Sequence, residues 1–325
     1  MSTRGLRDDD HTGFDRPRRR SRPRTKDRPD YSDAEIGMII TIDRGRYRVL
    51  IDGRDLTAVK ARQLGRKSVI VGDRVRVVGD TSGEEGTLAR IVEVEERTTV
   101  LRRTADDDDP YERPVVANAD QLAIVTALAD PPPRTGMIDR ILVAGYDAGL
   151  EPLLCLTKAD LAAPDVLLAA YQPLGVHSVV LAPDSDLEPL RRALAGRVSV
   201  LVGHSGVGKS TLVNRLIPGS DRAIGEVNEV TGRGRHTSTS AIALALPGGD
   251  GWVIDTPGVR SFGLSHVTPD RIVAAFGDLA EVAADCPRGC RHTAADPECA
   301  LDAAVADGRL GSGRVESFRR MITTA

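Results

Sequence analysis

The chain has 325 residues, 41% of them hydrophobic, which is enough material for two or three domains with cores of their own. No apolar run approaches the roughly 20 residues of a membrane-spanning helix, and the basic N-terminus lacks the apolar segment of a signal peptide, so we expect a soluble, cytoplasmic protein with no membrane partner. The formal net charge of −3 excludes no class of partner, because charged residues are unevenly distributed along the chain.

Residues 1–34 are rich in arginine and proline and almost free of apolar side chains. Such a segment cannot bury enough surface to fold alone, so we expect a disordered basic tail. It either adds solubility or forms an arm for a polyanion, and its density of arginine favours the arm.

Residues 35–101 alternate short apolar runs with turn signals, which predicts strands at 37–42, 46–51, 56–59, 75–78 and 86–92. Five short strands over about sixty residues are typical of an OB-fold β-barrel. Basic residues concentrate in the first half of this segment, while aromatic residues for base stacking are few. We therefore predict an RNA-binding domain that recognises shape and charge, with a plain solvated barrel surface as the alternative.

A charged, proline-containing linker is expected at residues 102–114, followed by an α/β domain at 115–264. In that domain apolar strands alternate with helices, the pattern of a parallel sheet covered on both faces. The predicted strands are 122–128, 152–156, 177–181, 198–202 and 252–254, and the predicted helices are 137–147, 166–171, 187–195 and 211–216.

A phosphate-binding loop (P-loop) follows the predicted strand at 198–202. Its sequence fits the pattern G-x-x-x-x-G-K-[ST] and comprises Gly203, His204, Ser205, Gly206, Val207, Gly208, Lys209, Ser210 and Thr211. The glycines allow backbone N–H groups to surround phosphate oxygens, Lys209 adds a positive charge, and Ser210 offers a hydroxyl to Mg²⁺. The strand before the loop and the helix after it argue against a chance match.

A candidate guanine motif lies upstream of the P-loop. The strand at 152–156 ends in Thr157-Lys158-Ala159-Asp160, a variant of the pattern N-K-x-D. The Asp160 carboxylate can accept hydrogen bonds from both N1–H and the 2-amino group of guanine, a donor pair that adenine lacks, so we predict GTP as the ligand. Lys158 is expected to lay its aliphatic stem along the base. Thr157 stands where the pattern has Asn, and the lost amide predicts looser guanine binding.

The strand at 252–254 leads into Asp255-Thr256-Pro257-Gly258, a D-x-x-G motif. We expect Asp255 to hold Mg²⁺ through water and the Gly258 backbone N–H to sense the γ-phosphate. The polar segment 231–239 lies where a first switch belongs, and Thr237 is predicted to supply a hydroxyl to Mg²⁺, with Ser238 and Thr239 as alternatives. Val259 occupies the usual place of a water-orienting Gln, which leaves His236 as the nearest catalytic candidate; contact with RNA or solvent is its alternative role.

The order of these motifs is itself informative. Ordinary GTPases run from P-loop to D-x-x-G to N-K-x-D, whereas here the guanine motif comes first. Because all three loops lie at the carboxyl edge of one sheet, a circular permutation can leave the site intact. It also places the second switch, residues 255–263, directly before the C-terminal region.

Three of the four cysteines lie within fourteen positions near the C-terminus, in the pattern Cys286-x3-Cys290-x-His292-x6-Cys299. In a cytoplasmic protein this clustering indicates metal rather than disulfides. Three thiolates and an imidazole form the Cys₃His set of a closed structural zinc site, so we expect no metal chemistry. Helices predicted at 271–284, 300–306 and 315–321 indicate a helical zinc-binding domain over residues 265–325.

Together these residues resemble the RsgA (YjeQ, EngC) family of circularly permuted GTPases that depend on the small ribosomal subunit. The resemblance covers residue 37 to the C-terminus and depends on these segments: 118–121, 157–160, 203–211, 232–237, 255–260 and the Cys/His cluster. It implies a multi-domain α/β protein, with a circularly permuted P-loop GTPase domain between an N-terminal OB-fold β-barrel and a C-terminal α-helical zinc domain. It also implies GTP hydrolysis to GDP and phosphate, stimulated by the 30S subunit during its late maturation, contact with 16S rRNA, and a catalytic role for His236.

The chain departs from the family pattern in three places. The zinc-ligand spacing differs, the loop Ala182-Pro183-Asp184-Ser185 lacks the Ser-Ala signature that backs the guanine base, and the basic tail lies outside the resemblance. We expect a monomer. Two other functions stay open: an RNA-binding adaptor with nucleotide as a structural ligand, and a GTP-driven metallochaperone. The second is disfavoured because a complete four-ligand site retains its metal.

Overall fold

The computed structural model describes residues 30–65, 69–103, 113–220, 241–256 and 267–324. The predicted roles of His236, Thr237 and Gly258, and nearly all of the basic tail, therefore fall outside the described residues. Within the described part of the chain, no helix combines the length and the apolar character needed to cross a membrane.

Five strands at the N-terminal end form a small barrel, as the alternating pattern predicts. They are β1 (Glu35–Asp43), β2 (Arg46–Ile51), β3 (Arg54–Lys60), β4 (Arg74–Gly79) and β5 (Ala89–Val94). They pair in the order β1-β2-β3-β5-β4, and β4 returns to pair with β1, which closes the barrel. The first two hairpin turns, at Arg44-Gly45 and Asp52-Gly53, have positive φ at both central residues, the geometry that gives Asp-Gly its value as a turn signal.

A short antiparallel hairpin follows the barrel. It consists of β6 (Val100–Arg103) and β7 (Arg113–Ala117), so the predicted linker at 102–114 begins and ends within strands. The prediction missed these strands because each is only four or five residues long and carries several charged or proline residues.

The α/β region has the predicted alternation of strands and helices. Its elements are β8 (Gln121–Ala127), α1 (Thr135–Asp147), β9 (Glu151–Thr157), α2 (Asp165–Tyr171), β10 (His177–Val180), α3 (Glu188–Leu194), β11 (Val198–Val202), α4 (Lys209–Leu216), β12 (Ile242–Ala245) and β13 (Trp252–Asp255). The strands lie in the order β10-β9-β8-β11-β13-β12, and all are parallel except β12. Every residue of the central strand β8 is buried, in keeping with its unbroken apolar sequence.

The barrel and the α/β region share one continuous sheet. Strand β12 pairs on its other side with β1, with Ile242 opposite Thr41, so that the strand order runs through eleven strands. The side chains of Met38, Ile40 and Ile42 on β1 pack against the core of the α/β region, while Ile39 points into the barrel core.

Four helices follow the α/β region: α5 (Pro269–Val273), α6 (Gly277–Ala283), α7 (Ala300–Ala306) and α8 (Ser312–Thr324). The single helix predicted at 271–284 is wrong, because the backbone is extended at Phe276, with φ −114° and ψ 92°. This break places the Phe276 ring in the core between Tyr146 and Phe318, with ring centroids 4.6 and 5.8 Å away. Burial of the ring therefore overrides local helix propensity.

Candidate nucleotide-binding site and metal centre

Three loops with predicted chemistry meet at one edge of the sheet. Strands β9, β8, β11 and β13 are parallel neighbours, so their carboxyl ends lie side by side. These ends carry the guanine motif at 157–160, the P-loop at 203–211 and the first half of the D-x-x-G motif at 255–256. This edge is where open α/β sheets bind ligands.

The P-loop backbone requires its glycines. A Cβ atom on Gly203 would lie 2.5 Å from the carbonyl oxygen of Val125, so only glycine fits at this first position of the loop after β11. Gly206 and Gly208 have φ of +85° and +88°, a conformation that other residues rarely adopt. Gly208 is also the N-cap of α4, so the first N–H groups of this helix are available to a phosphate.

Lys209 of the P-loop contacts the carboxylate of Asp255 through its Nζ atom. Both side chains are only 12% exposed, and Nζ also lies 3.5 Å from the carbonyl oxygen of Thr256. The Thr256 hydroxyl donates to the carbonyl oxygen of Leu201, at 2.7 Å, and so fixes the end of β13 against β11. Two motifs that are 46 residues apart in sequence thus share one charged pair.

The donor set at this position suits Mg²⁺. Asp255 supplies a carboxylate, and Ser210, exposed in the first turn of α4, supplies a hydroxyl. Hard oxygen ligands of this kind are the ones that Mg²⁺ takes, usually together with waters and nucleotide phosphates.

Thr157 connects the guanine motif to the P-loop. Its buried hydroxyl lies 2.6 Å from the carbonyl oxygen of Val207, to which it donates, and 3.2 Å from that of Thr126. Although Thr157 lacks the amide of Asn, its hydroxyl therefore still attaches the guanine motif to the P-loop. The sequence pattern did not predict this contact.

Lys158 and Asp160 lie at the rim of the site. Lys158 has a positive φ of 57°, and its Nζ atom contacts the carbonyl oxygen of Asp130 in the loop after β8. Asp160 is exposed, as a carboxylate that is to accept hydrogen bonds from a base must be. The neighbouring N–H of Ala159 donates to the carbonyl oxygen of Leu181, at 3.1 Å, which joins this loop to the one after β10.

The loop after β10 is held by a residue that sequence reasoning missed. Arg215, in the last turn of α4, donates from Nη1 to the carbonyl oxygen of Ala182, at 3.2 Å, and from Nη2 to that of Ser185, at 2.6 Å. A lone arginine near a helix end carries no sequence signal for such a contact, because its partners are backbone atoms of a distant segment.

The Cys/His cluster assembles as predicted. The ligand atoms of Cys286, Cys290, His292 and Cys299 all lie within 4.8 Å of one another. The Nδ1 atom of His292 is 3.5 Å from Sγ of Cys286 and 3.6 Å from Sγ of Cys290. A tetrahedral ion with Zn–S of about 2.3 Å and Zn–N of about 2.0 Å requires S···N separations of roughly 3.5 Å, so the donor set fits zinc.

The surroundings of the cluster act on the protonation of its thiols in two opposite ways. Burial raises the pKa of the Cys290 thiol to about 11 and also raises the pKa of Cys286, so a metal must displace their protons. Backbone N–H groups of Ala300 and His292 point at Sγ of Cys286 and Cys290, at 3.3 and 3.4 Å, and would stabilise thiolates. On its other side, Nε2 of His292 lies 3.7 Å from the Asp270 carboxylate.

The motif Asn118-Ala119-Asp120-Gln121 joins the barrel to the α/β sheet rather than lining the site. Asn118 donates from Nδ2 to the carbonyl oxygen of Gly72 and accepts at Oδ1 from the Thr98 N–H, both at 2.9 Å. Asp120 accepts a hydrogen bond from β11 at Oδ2, at 2.8 Å, and Gln121 accepts one from β11 at Oε1, at 2.9 Å.

Comparison with known proteins identifies the family. The model of the RsgA GTPase family matches residues 94–265, which is more than half of the chain. The chain belongs to the RsgA GTPase family. Its relatives named small ribosomal subunit biogenesis GTPase RsgA include that of Pseudomonas fluorescens (strain SBW25), 41% identical over 91% of this chain and 87% of the relative. That of Ectopseudomonas mendocina (strain ymp) is 45% identical over 65% of this chain and 64% of the relative.

Solved structures agree with this assignment. YjeQ from Thermotoga maritima superposes with a TM-score of 0.66 at 25% identity, covering 89% of this chain and 97% of that one. YloQ, described as a circularly permuted GTPase, gives a TM-score of 0.64 at 24% identity, covering 91% and 96%. The predicted family, the fold class and the assignment to the GTPases are therefore confirmed.

Proposed function

We propose that this RsgA-family chain hydrolyses GTP to GDP and phosphate in late maturation of the small ribosomal subunit, stimulated by the 30S subunit. The observation that carries the proposal is the meeting of Lys209, Asp255 and the Thr157–Val207 hydrogen bond at one sheet edge. The names of the relatives support the ribosomal role. The protein would act in the cytoplasm as a monomer that contacts 16S rRNA.

Different residues of the site bind different parts of GTP. Backbone N–H groups of the P-loop and the Lys209 ammonium bind the β- and γ-phosphates. Ser210, Asp255 and Thr237 would hold Mg²⁺, which would neutralise charge on the phosphates, and the Gly258 N–H would sense the γ-phosphate. Asp160 selects guanine, and His236 orients the attacking water.

The GTPase domain at 115–264 is flanked by the barrel at 35–101 and the zinc domain at 265–325. These two flanking domains attach the protein to the subunit. On the barrel surface, Arg46 and Arg90 are exposed, and both lie directly opposite Val59 in adjacent strand pairs. These two cations, on β2 and β5 with Val59 of β3 between them, suit a phosphate backbone. Cys286, Cys290, His292 and Cys299 would hold one structural zinc, which would stabilise the C-terminal helices.

Turnover with and without purified 30S subunits tests the proposal. We expect slow hydrolysis by the chain alone and a large increase on adding 30S subunits, since no Gln follows Gly258. The adaptor alternative predicts nucleotide binding without turnover in either condition. Absence of stimulation by 30S subunits would overturn the proposed function.

Asp160→Asn tests the guanine assignment. The amide presents a donor where guanine also presents donors, so preference should move from GTP towards xanthosine triphosphate, whose base carries an oxygen at that position. Asp165→Asn, which alters an exposed carboxylate on α2, is the matched control and should keep GTP preference. An unchanged base preference in Asp160→Asn would refute the assignment.

His236→Ala tests the catalytic role. We expect loss of 30S-stimulated turnover with nucleotide affinity retained, because an oriented water matters only in the transition state. His177→Ala, at an exposed position on β10, is the control. Normal stimulated turnover in His236→Ala would remove that residue from the mechanism.

A further inference from the structure

The loop Ala182–Ser185 and the guanine motif form one rim of the nucleotide site. Strands β9 and β10 are parallel neighbours with Leu156 opposite Val180, so the loops that follow them lie side by side. The hydrogen bond from the Ala159 N–H to the Leu181 carbonyl oxygen ties the two loops together next to Asp160. Whatever fixes the loop at 182–185 therefore fixes the surface beside the base.

The loop has a closed internal shape. The Ser185 hydroxyl oxygen accepts from the Ala182 N–H, at 2.7 Å, and the Ser185 N–H donates to the Ala182 carbonyl oxygen, at 3.2 Å. Pro183 has no N–H, and the side chains of Pro183 and Asp184 are exposed. Neither of these two residues anchors the loop to the body of the protein by burial.

Arg215 provides that anchor from the helix of the P-loop. Its guanidinium donates to two carbonyl oxygens of the loop, those of Ala182 and Ser185, and so spans the turn from one end to the other. Charge-assisted hydrogen bonds from a planar guanidinium are strong and fix geometry. Helix α4 begins at Lys209 and ends at Leu216, so the element that binds phosphate at its first turn carries the base-side anchor in its last turn.

We propose that Arg215 is a positioning residue for the guanine base. By holding residues 182–185 against the base that Asp160 recognises, it raises affinity for guanine nucleotides without contacting the phosphates. In this chain it takes over from the Ser-Ala signature that the loop lacks. The inference depends on the proposed function, because it presumes a guanine nucleotide in this site.

Calorimetric titration of Arg215→Ala with two probes tests the inference. GDP with Mg²⁺ reports binding of base and phosphates together, and magnesium pyrophosphate reports the P-loop alone. We expect GDP affinity to fall roughly tenfold or more, the effect of losing charged hydrogen bonds that position a binding loop, while pyrophosphate affinity stays within about twofold. In steady-state turnover, KM for GTP should rise while kcat is retained.

Two further variants make the result specific. Arg192→Ala removes an arginine that is 70% exposed on α3 and lies 3.7 Å from Glu188, and it should leave both affinities unchanged. Arg215→Lys keeps the charge but offers one nitrogen to two carbonyl oxygens, so GDP affinity should be intermediate.

The outcomes separate the inference from the function on which it depends. Equal loss of GDP and pyrophosphate affinity, or no loss of either, would overturn the role of Arg215. A wild-type chain that binds ADP as tightly as GDP would instead overturn the guanine site itself. Wild-type preference for GDP with a loss confined to GDP in Arg215→Ala supports both.

Discussion

The barrel and the C-terminal helices are both attached to the α/β region, but by different kinds of contact. The barrel is attached through backbone hydrogen bonds as well as through the apolar side chains of β1. Strand β1 pairs with β12, and the Ala117 N–H donates to the carbonyl oxygen of Val71, at 3.0 Å. Close approach is required here, because a Cβ atom on Gly72 would lie 2.0 Å from the carbonyl oxygen of Ala117.

The C-terminal helices share a hydrophobic core with the α/β region, and long side chains of α8 add polar contacts to it. Arg320 bonds both carboxylate oxygens of Asp139, at 3.2 and 3.4 Å, and lies over the ring of Tyr171, at 5.0 Å. Arg314 donates to the carbonyl oxygen of Pro173 in the α/β region, at 2.7 Å, and is held by the Asp278 carboxylate of α6. The Phe276 ring adds an apolar contact to Tyr146.

These two junctions should respond differently to mutation and to salt. Backbone pairing is insensitive to most side-chain changes and fails mainly where the backbone itself is displaced. Arginine contacts depend on single side chains, and those that are partly exposed weaken as ionic strength rises. The backbone contacts of the barrel junction should therefore respond less to salt than the arginine contacts of α8 do.

The largest expected effect comes from removing a ligand of the proposed zinc. Cys299→Ala removes one of four ligands, so the C-terminal helices lose most of a metal-binding energy that is roughly 10 kcal/mol in small zinc domains. Hydrogen exchange should rise over residues 267–324 and stay native in the barrel. Metal analysis should find no zinc.

Cys155→Ala is the control for this change, since that thiol is buried in β9 away from the cluster. It should retain zinc and cost only a small core cavity. Native exchange of the C-terminal helices in metal-free Cys299→Ala would show that side-chain contacts alone hold them.

Gly72→Ala should be the most damaging single change at the barrel junction. Positive φ costs about 1–2 kcal/mol, and the clash with Ala117 raises the expected loss of unfolding free energy to about 3–5 kcal/mol. Gly53→Ala has a similar φ of +79° with no atom within 4 Å of its Cβ, so it reports the φ cost alone. Denaturant unfolding that gave equal losses for both variants would contradict the required close approach.

Arg320→Ala tests the other junction. Asp139 is 1% exposed, so removing Arg320 leaves a buried carboxylate without this partner. Because Arg320 itself is partly exposed, we expect a moderate loss of about 2–3 kcal/mol in unfolding free energy. Arg309 is 53% exposed and lies 3.7 Å from Asp307, a long separation for an ion pair, so Arg309→Ala should cost almost nothing. Salt should reduce the difference between wild type and Arg320→Ala, and an unchanged difference at high salt would argue against an electrostatic contact.

Local patterns predicted the elements of both junctions but not their contacts. The barrel strands, the P-loop and the Cys/His cluster are each specified by short-range spacing, so sequence alone placed them. The pairing of β12 with β1 and the bonds of Arg215 join segments far apart in sequence, and no periodicity encodes such partners. The break at Phe276 was missed for the same reason, since the ring is buried against distant residues.

The smallest expected effect concerns the side-chain part of the barrel junction, at Asn118. This residue has a φ of 55°, which Asn and Gly tolerate, so Asn118→Gly keeps the backbone while deleting the bonds to Gly72 and Thr98. We expect a loss of about 1–2 kcal/mol in unfolding free energy and no change in GDP affinity.

Asn118→Asp sharpens this test, because the carboxylate keeps the acceptor for Thr98 but places an oxygen against the Gly72 carbonyl oxygen, with no donor between them. If the barrel is held by backbone pairing, both variants unfold in one transition with the α/β region, at a lower denaturant concentration than wild type. Separate unfolding of the barrel in either variant would mean that Asn118, and not the pairing of β1 with β12, couples the two regions. The barrel junction would then depend on a single side chain.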